Sequence, residues 1–256
     1  MENKRIISLI LFLFLCHINN EAQNTHIIGS SQIEIRYGVT QGKYKDLYVL
    51  RYGGNKSQYF CYNTLMRDSM IASGHVDAVI DMLEQSEEAK THHDDSDVMP
   101  QSSNSSDFIY RNLKEGKLSV YSSIFGSRYV YEEDIPRISW TIREDSTATV
   151  FGYTCHYAST IFRGRRWEVW YAPDIPLDLG PWKFSGLPGL ILQADCKGFI
   201  HIETCGISDK NLIPLKFYNL LHRKFQPIDR RTFLKARTSP RSYPKGSIRI
   251  PDMELE

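Results

Sequence analysis

Along most of the chain, apolar and polar residues alternate over short runs. Ile33, Ile35 and Tyr37 alternate with Glu34 and Arg36, the period-two pattern of a strand with one face buried. Leu47 to Tyr52 and Gln58 to Tyr62 flank Gly53-Gly54-Asn55, a turn signal between aromatic-rich runs. Phe108 to Leu113 and Leu118 to Tyr121 flank Lys114-Glu115-Gly116 in the same manner. Arg128 to Tyr131, Ile138 to Ile142, Thr154 to Phe162, Trp167 to Tyr171, Leu190 to Ala194 and Phe199 to Thr204 continue the series. Strands at such short intervals, with no helices alternating between them, predict a mainly β chain built as an antiparallel sheet or open β-barrel.

One segment breaks the pattern. Val76, Val79, Ile80 and Leu83 recur at helical spacing, with Asp77 and Asp81 near the start, so residues 75–90 predict one inserted amphipathic helix. Residues 91–106 follow, rich in Ser, Asp and His and poor in anything to bury; such composition predicts a mobile loop. A second shift begins at Leu221. Arg223, Lys224, Arg230, Arg231, Lys235 and Arg237 lead a run of cations opposed by few acids, which reads as a solvated basic tail over residues 221–256. Residues 23–220 then read as a single β domain.

The amino terminus carries Lys4 and Arg5, the apolar run Ile6 to Leu15, and rising polarity through His17, Asn19, Asn20 and Glu21. That order is a secretory signal peptide over residues 1–22, cleaved near Ala22. A buried amino-terminal helix is the alternative for the same residues. About ten apolar residues are too few to span a bilayer of roughly 30 Å, and no later segment approaches that length. Cys16 follows Leu15, where lipoprotein processing requires a small residue. The expectation is a periplasmic or secreted protein beginning at Gln23. A formal net charge of +1 gives no global argument for nucleic acid.

Export leaves Cys61, Cys155, Cys196 and Cys205 in an oxidising compartment. Four cysteines allow three complete connectivities. A hairpin turning at Asp195 to Gly198 would hold Cys196 and Cys205 roughly 20 Å apart, beyond disulfide reach. Sequence alone does not choose among the rest, and a Cys61–Cys155 pair remains open beside them.

The densest motif is Gly180-Pro181-Trp182-Lys183-Phe184-Ser185-Gly186-Leu187-Pro188-Gly189-Leu190-Ile191-Leu192. Upstream lie Ile138-Ser139-Trp140, Phe151-Gly152-Tyr153-Thr154-Cys155, Ala158-Ser159-Thr160, Phe162, Gly164-Arg165, Trp167-Glu168-Val169-Trp170-Tyr171 and Ile175-Pro176. From Trp140 to Leu192 this pattern resembles the GLPGLI family. The ending, Ile250-Pro251-Asp252-Met253-Glu254-Leu255-Glu256, is a looser likeness to the Asn-Pro-apolar-Glu-Leu close of that family, because Asp252 separates Pro251 from Met253. The resemblance implies a Bacteroidetes envelope protein of a family without an established activity.

Read from its residues, the motif is a backbone device. Pro181 and Pro188 fix φ and remove donors, and Gly180, Gly186 and Gly189 permit φ above zero. Trp182 and Phe184 alternate with Lys183 and would cover one face of the core. The same stretch supplies the ligand-binding candidates Trp170, Gly180, Pro181, Trp182, Phe184, Gly186, Leu187, Pro188 and Gly189. Trp167 and Trp170, three apart, face opposite sides of a strand, so one lines the core and the other a surface or cleft. Ser185 lacks the Gly-x-Ser-x-Gly frame of hydrolases. Cys155 and His156 are strand neighbours and point apart. His201 and Glu203 share a strand face and form a polar pair. His92, His93, Asp94, Asp95 and Asp97 are metal-compatible residues, but their composition reads as a solvated loop. No cofactor loop or metal motif is found. The expected function is a non-catalytic binding or accessory protein of the cell envelope, taking an apolar ligand or a partner protein. The alternative is an envelope hydrolase or thiol-dependent enzyme built on Cys155 or His201.

Overall fold

The structure is a computed structural model and describes residues 26–88, 105–247 and 251–255. The predicted signal peptide, the His92 to Asp97 group and most of the predicted mobile loop lie outside the described residues.

The strands, in chain order, are β1 (His26–Gly29), β2 (Ile33–Gln41), β3 (Tyr44–Gly53), β4 (Lys56–Cys61), β5 (Phe108–Asn112), β6 (Lys117–Ile124), β7 (Ser127–Asp134), β8 (Thr141–Val150), β9 (Tyr153–Phe162), β10 (Arg165–Ala172), β11 (Leu190–Cys196), β12 (Ile200–Ser208), β13 (Leu215–Phe217) and β14 (Gln226–Pro227). Helices α1 (Tyr62–Ala72) and α2 (Val76–Glu88) separate β4 from β5, and α3 (Arg230–Thr238) follows β14. The mainly β expectation holds. The expectation of one helix does not: α1 and α3 are additional. In α1 the apolar residues Leu65, Met66, Met70 and Ile71 form no clean stripe, and only Leu65 of these is fully buried. In α3 the buried pair Phe233 and Leu234 is surrounded by cations that mask it.

The described residues form two compact units. The smaller contains residues 65–88 and 216–223 with 26–28. Within it Arg223 grips the buried Asp68 carboxylate with both guanidinium nitrogens, at 2.7 and 3.0 Å. Of the apolar residues that predicted α2, Val79 is buried while Val76 and Ile80 are exposed.

The larger unit holds a 12-stranded sheet in the order β14-β7-β6-β5-β4-β3-β2-β12-β11-β10-β9-β8. Neighbours are antiparallel except β14, which runs parallel to β7. No backbone ladder closes this sheet among the described residues. Its ends nevertheless meet through side chains. Arg163, in the turn between β9 and β10, donates to Glu133 of β7 at 2.5 Å. Strands next to the two opposite edges are therefore clasped by charge.

The Gly180 to Gly189 motif is an irregular plug packed on the inner face of this sheet. Trp182 and Phe184 stack against each other and against Trp167 and Phe162, with ring centroids 4.8–6.1 Å apart. The segment folds back along β11, with Leu190 N donating to Ile175 O at 3.0 Å and Ile191 N to Leu179 O at 3.0 Å. The glycines act differently from expectation. Only Gly186 has positive φ, at 92°. A Cβ on Gly180 would lie 2.9 Å from Ile191 Cβ, and one on Gly189 would lie 2.7 Å from the Ala172 carbonyl carbon. Two of the three glycines thus serve close approach. Trp182 itself takes the left-handed conformation, φ 55°.

Candidate binding cavity

Three elements converge on the plug. From the sheet come Arg111 of β5, Tyr131 and Glu133 of β7, and Arg165 of β10. From α3 come Arg230 and Arg237. The third is an extended carboxy-terminal strap, Pro251 to Leu255. α3 is started by Asp229, whose carboxylate caps Thr232 N at 2.9 Å, and it seats Phe233 beside Tyr131 with ring centroids 5.2 Å apart. That seating turns Arg230 and Arg237 toward the sheet. Within the segment read as a solvated tail, α3 and the strap are therefore docked on the sheet, through the apolar pair Phe233 and Leu234 and matched charges.

Lys183 is only 1% exposed. Its ammonium donates to Glu133 at 2.6 Å and Tyr131 Oη at 3.0 Å, and pairs with Glu254. Arg230 approaches the same two carboxylates, Glu254 at 2.5 Å and Glu133 at 3.4 Å. Arg237 binds Asp107 at 3.0 Å and Asp252 at 2.7 Å. Burial alone would raise the Glu254 carboxyl, but the charges and hydrogen bonds of Lys183 and Arg230 outweigh it and hold the group below its usual value. Arg111, also buried, donates to the carbonyls of Trp182 and Phe184, the latter at 3.4 Å. Burial pulls its guanidinium down to about 10. This cation clamps the plug through backbone dipoles rather than a carboxylate.

Between sheet, plug, α3 and strap lies a cavity of about 580 Å³, a volume within the range of small-molecule sites. Its lining is mixed, with apolar Ile109, Val120, Trp182 and Leu234 beside polar Ser105, Ser106, Asp107, Ser123, Tyr131, Lys183 and Arg237.

Of the sequence candidates, Trp182 lines this cavity. Gly180, Pro181, Phe184, Leu187 and Gly189 are buried in the plug, while Gly186 and Pro188 are exposed at its rim. Trp170 stands half-buried against Tyr157 at 5.5 Å, whereas Trp167 is fully buried. Cys61 and Cys155 do not pair: both are free buried thiols, and five strands separate β4 from β9 in the sheet order. Burial pushes each thiol up to about 11. His156 bonds the Glu144 carbonyl at 3.0 Å and leaves Cys155 alone. His201 does pair with Glu203, at 3.2 Å, and with Asp195 at 2.5 Å across the hairpin. Burial lowers its affinity for a proton, but these two carboxylates raise it further, so the imidazole sits above its usual value.

Sequence reasoning missed Lys183, Glu133, Asp107 and the strap carboxylates. Strand alternation placed Lys183 on the outside, because Trp182 and Phe184 flank it. A lysine within a Gly-Pro-aromatic run was the available signal, together with the acids at Asp252 and Glu254.

A family model described as a protein of unknown function (Porph_ging) matches residues 163–193, which carry β10, the plug and the start of β11. No curated protein matches the chain. Among solved structures, PNGF-II in a P21 space group is similar over 80% of this chain and 33% of its own, with TM-score 0.50 and 14% identity. PNGF-II in a C2 space group gives 79%, 32%, 0.49 and 14%. The chain thus spans about a third of those structures, and the likeness is one of fold.

Proposed function

We propose that this is an exported, non-catalytic binding protein of the GLPGLI type, and that its ligand occupies the cavity between sheet, plug and α3. The observation that carries the reading is the mixed lining. Trp182 and Leu234 offer apolar surface to a space that also receives Ser105, Ser123, Tyr131 and the charged Lys183 and Arg237. An amphipathic small molecule suits it better than the apolar ligand that the sequence offered alongside a partner protein. The family-model match over the plug and the Lys4–Ala22 leader pattern support family and export. The thiol-dependent alternative is disfavoured by the high proton affinity of Cys61 and Cys155, since the thiolate is the reactive form.

Native mass spectrometry of protein recovered from its own envelope tests the proposal. The expected result is a mature mass beginning near Gln23 with a non-covalent small-molecule adduct. Ser123→Phe, which fills the cavity from β6, should fold and lose that adduct. An adduct retained by the variant, or none on the wild type, overturns the reading.

A further inference from the structure

The strap is seated as a bound peptide would be. It forms no strand ladder. Gln41 Nε2 donates to Pro251 O at 2.8 Å, Arg165 donates to Asp252 O and Met253 O at 3.2 Å, and Leu255 N donates to Arg163 O at 3.1 Å. Alternate side chains point inward: Asp252 onto Arg237, and Glu254, 3% exposed, onto Lys183 and Arg230. Leu255 is exposed. Main-chain contacts for affinity and alternate side-chain pockets for specificity are the mark of extended-peptide recognition.

The strap supplies the receiving side with carboxylates. Glu254 pairs with Lys183 and Arg230 and lies 3.8 Å from Arg163, and Asp252 pairs with Arg237 at 2.7 Å. A lysine as sealed as Lys183 needs anions beside it. We propose that this groove is a receptor for an extended acidic peptide of Asp-x-Glu pattern from a partner protein, and that the chain's own strap is its resident competitor. The inference rests on the reading of the adjoining cavity as a binding site. A tethered competitor acts at an effective concentration in the millimolar range, so the groove admits only partners that match both carboxylates.

The exposed turn Pro244 to Ser247 permits a direct test. A protease site is inserted after Gly246, and the full chain is folded and then cut. A labelled peptide, Ile-Pro-Asp-Met-Glu-Leu, is titrated against cut and uncut protein by fluorescence anisotropy. The cut protein should stay folded and bind the peptide saturably, with the uncut chain at least about tenfold weaker. A peptide with Gln in place of Glu should bind at least about tenfold more weakly, about 1.4 kcal/mol. Unfolding on cutting would make the strap a structural element and overturn the proposal. So would equal affinity for the Gln peptide. Strap-dependent dimerisation of the uncut chain would assign the groove to copies of this chain instead. A failure here alongside a small-molecule adduct on the intact protein removes the peptide receptor and leaves the proposed function standing.

Discussion

Lys183, at the centre of the plug, and Glu254, on the strap, form an ion pair with only 1% and 4% of their side chains exposed. The pair joins two irregular segments of the larger unit. Pairs this sealed contribute little relative to apolar packing, but are costly to break from one side. Lys183→Met should therefore lower stability by about 3–5 kcal/mol, read as a shifted urea midpoint. Lys183→Met combined with Glu254→Gln should recover part of the loss. Equal midpoints for single and double variants would mean the charges are solvated.

Gly186 and Gly189 should respond differently to substitution. At Gly189 the obstacle is the backbone of Ala172 and Pro173, which cannot rotate away, so Ala and Asn should each cost at least about 2 kcal/mol. At Gly186 the obstacle is φ of 92°, and Asn should be milder than Ala. Thermal melts of the four variants separate the two causes.

The strap should loosen in acid. The Glu254 carboxyl is held below its ordinary value of 4.5 in the folded protein. Its stabilisation is fully present above 4.5 and is lost as pH falls through the depressed folded value. Hydrogen exchange at Met253 to Leu255 should accelerate in that window. Glu254→Gln should already be loose above it and show a smaller further change. A parallel response in both proteins would assign the acid effect to other groups.

Thiol labelling should be selective. Cys205 is exposed, whereas Cys61, Cys155 and Cys196 are buried with thiols pushed up by burial. A neutral alkylating agent should modify Cys205 first in the native state, with the others following only on unfolding, as peptide mass mapping would show. Fast labelling of Cys155 would restore the thiol-enzyme alternative.

Strand periodicity made much of the sheet legible, although Glu34 of β2, expected outward, is buried against Arg51 at 2.7 Å. Tyr37 and Arg36, or Trp167 and Glu168, could be sorted by alternation alone. The site was not legible in that way. Lys183 is buried in an irregular segment where no period applies, and its counter-charges come from β7 and from the strap, far away in sequence. The same gap explains α3: Phe233 and Leu234 look like a minor apolar pair until Tyr131 is placed beside them. Trp182 was identified as a site residue because size and a Gly-Pro setting are local properties.

The clasp between Glu133 and Arg163 has a consequence for the order of folding. A sheet of this kind grows by hairpins between neighbours in the chain, which close short loops and form early. The clasp joins residues 133, 163, 183, 230 and 254, so it can assemble only when strands, plug and helix are already in place. Until then the inner face, with Trp167 and Phe184 upon it, stays open to water and to other chains. The seam is thus expected to close last, and a chain lacking Glu254 is expected to expose its inner face for longer while folding.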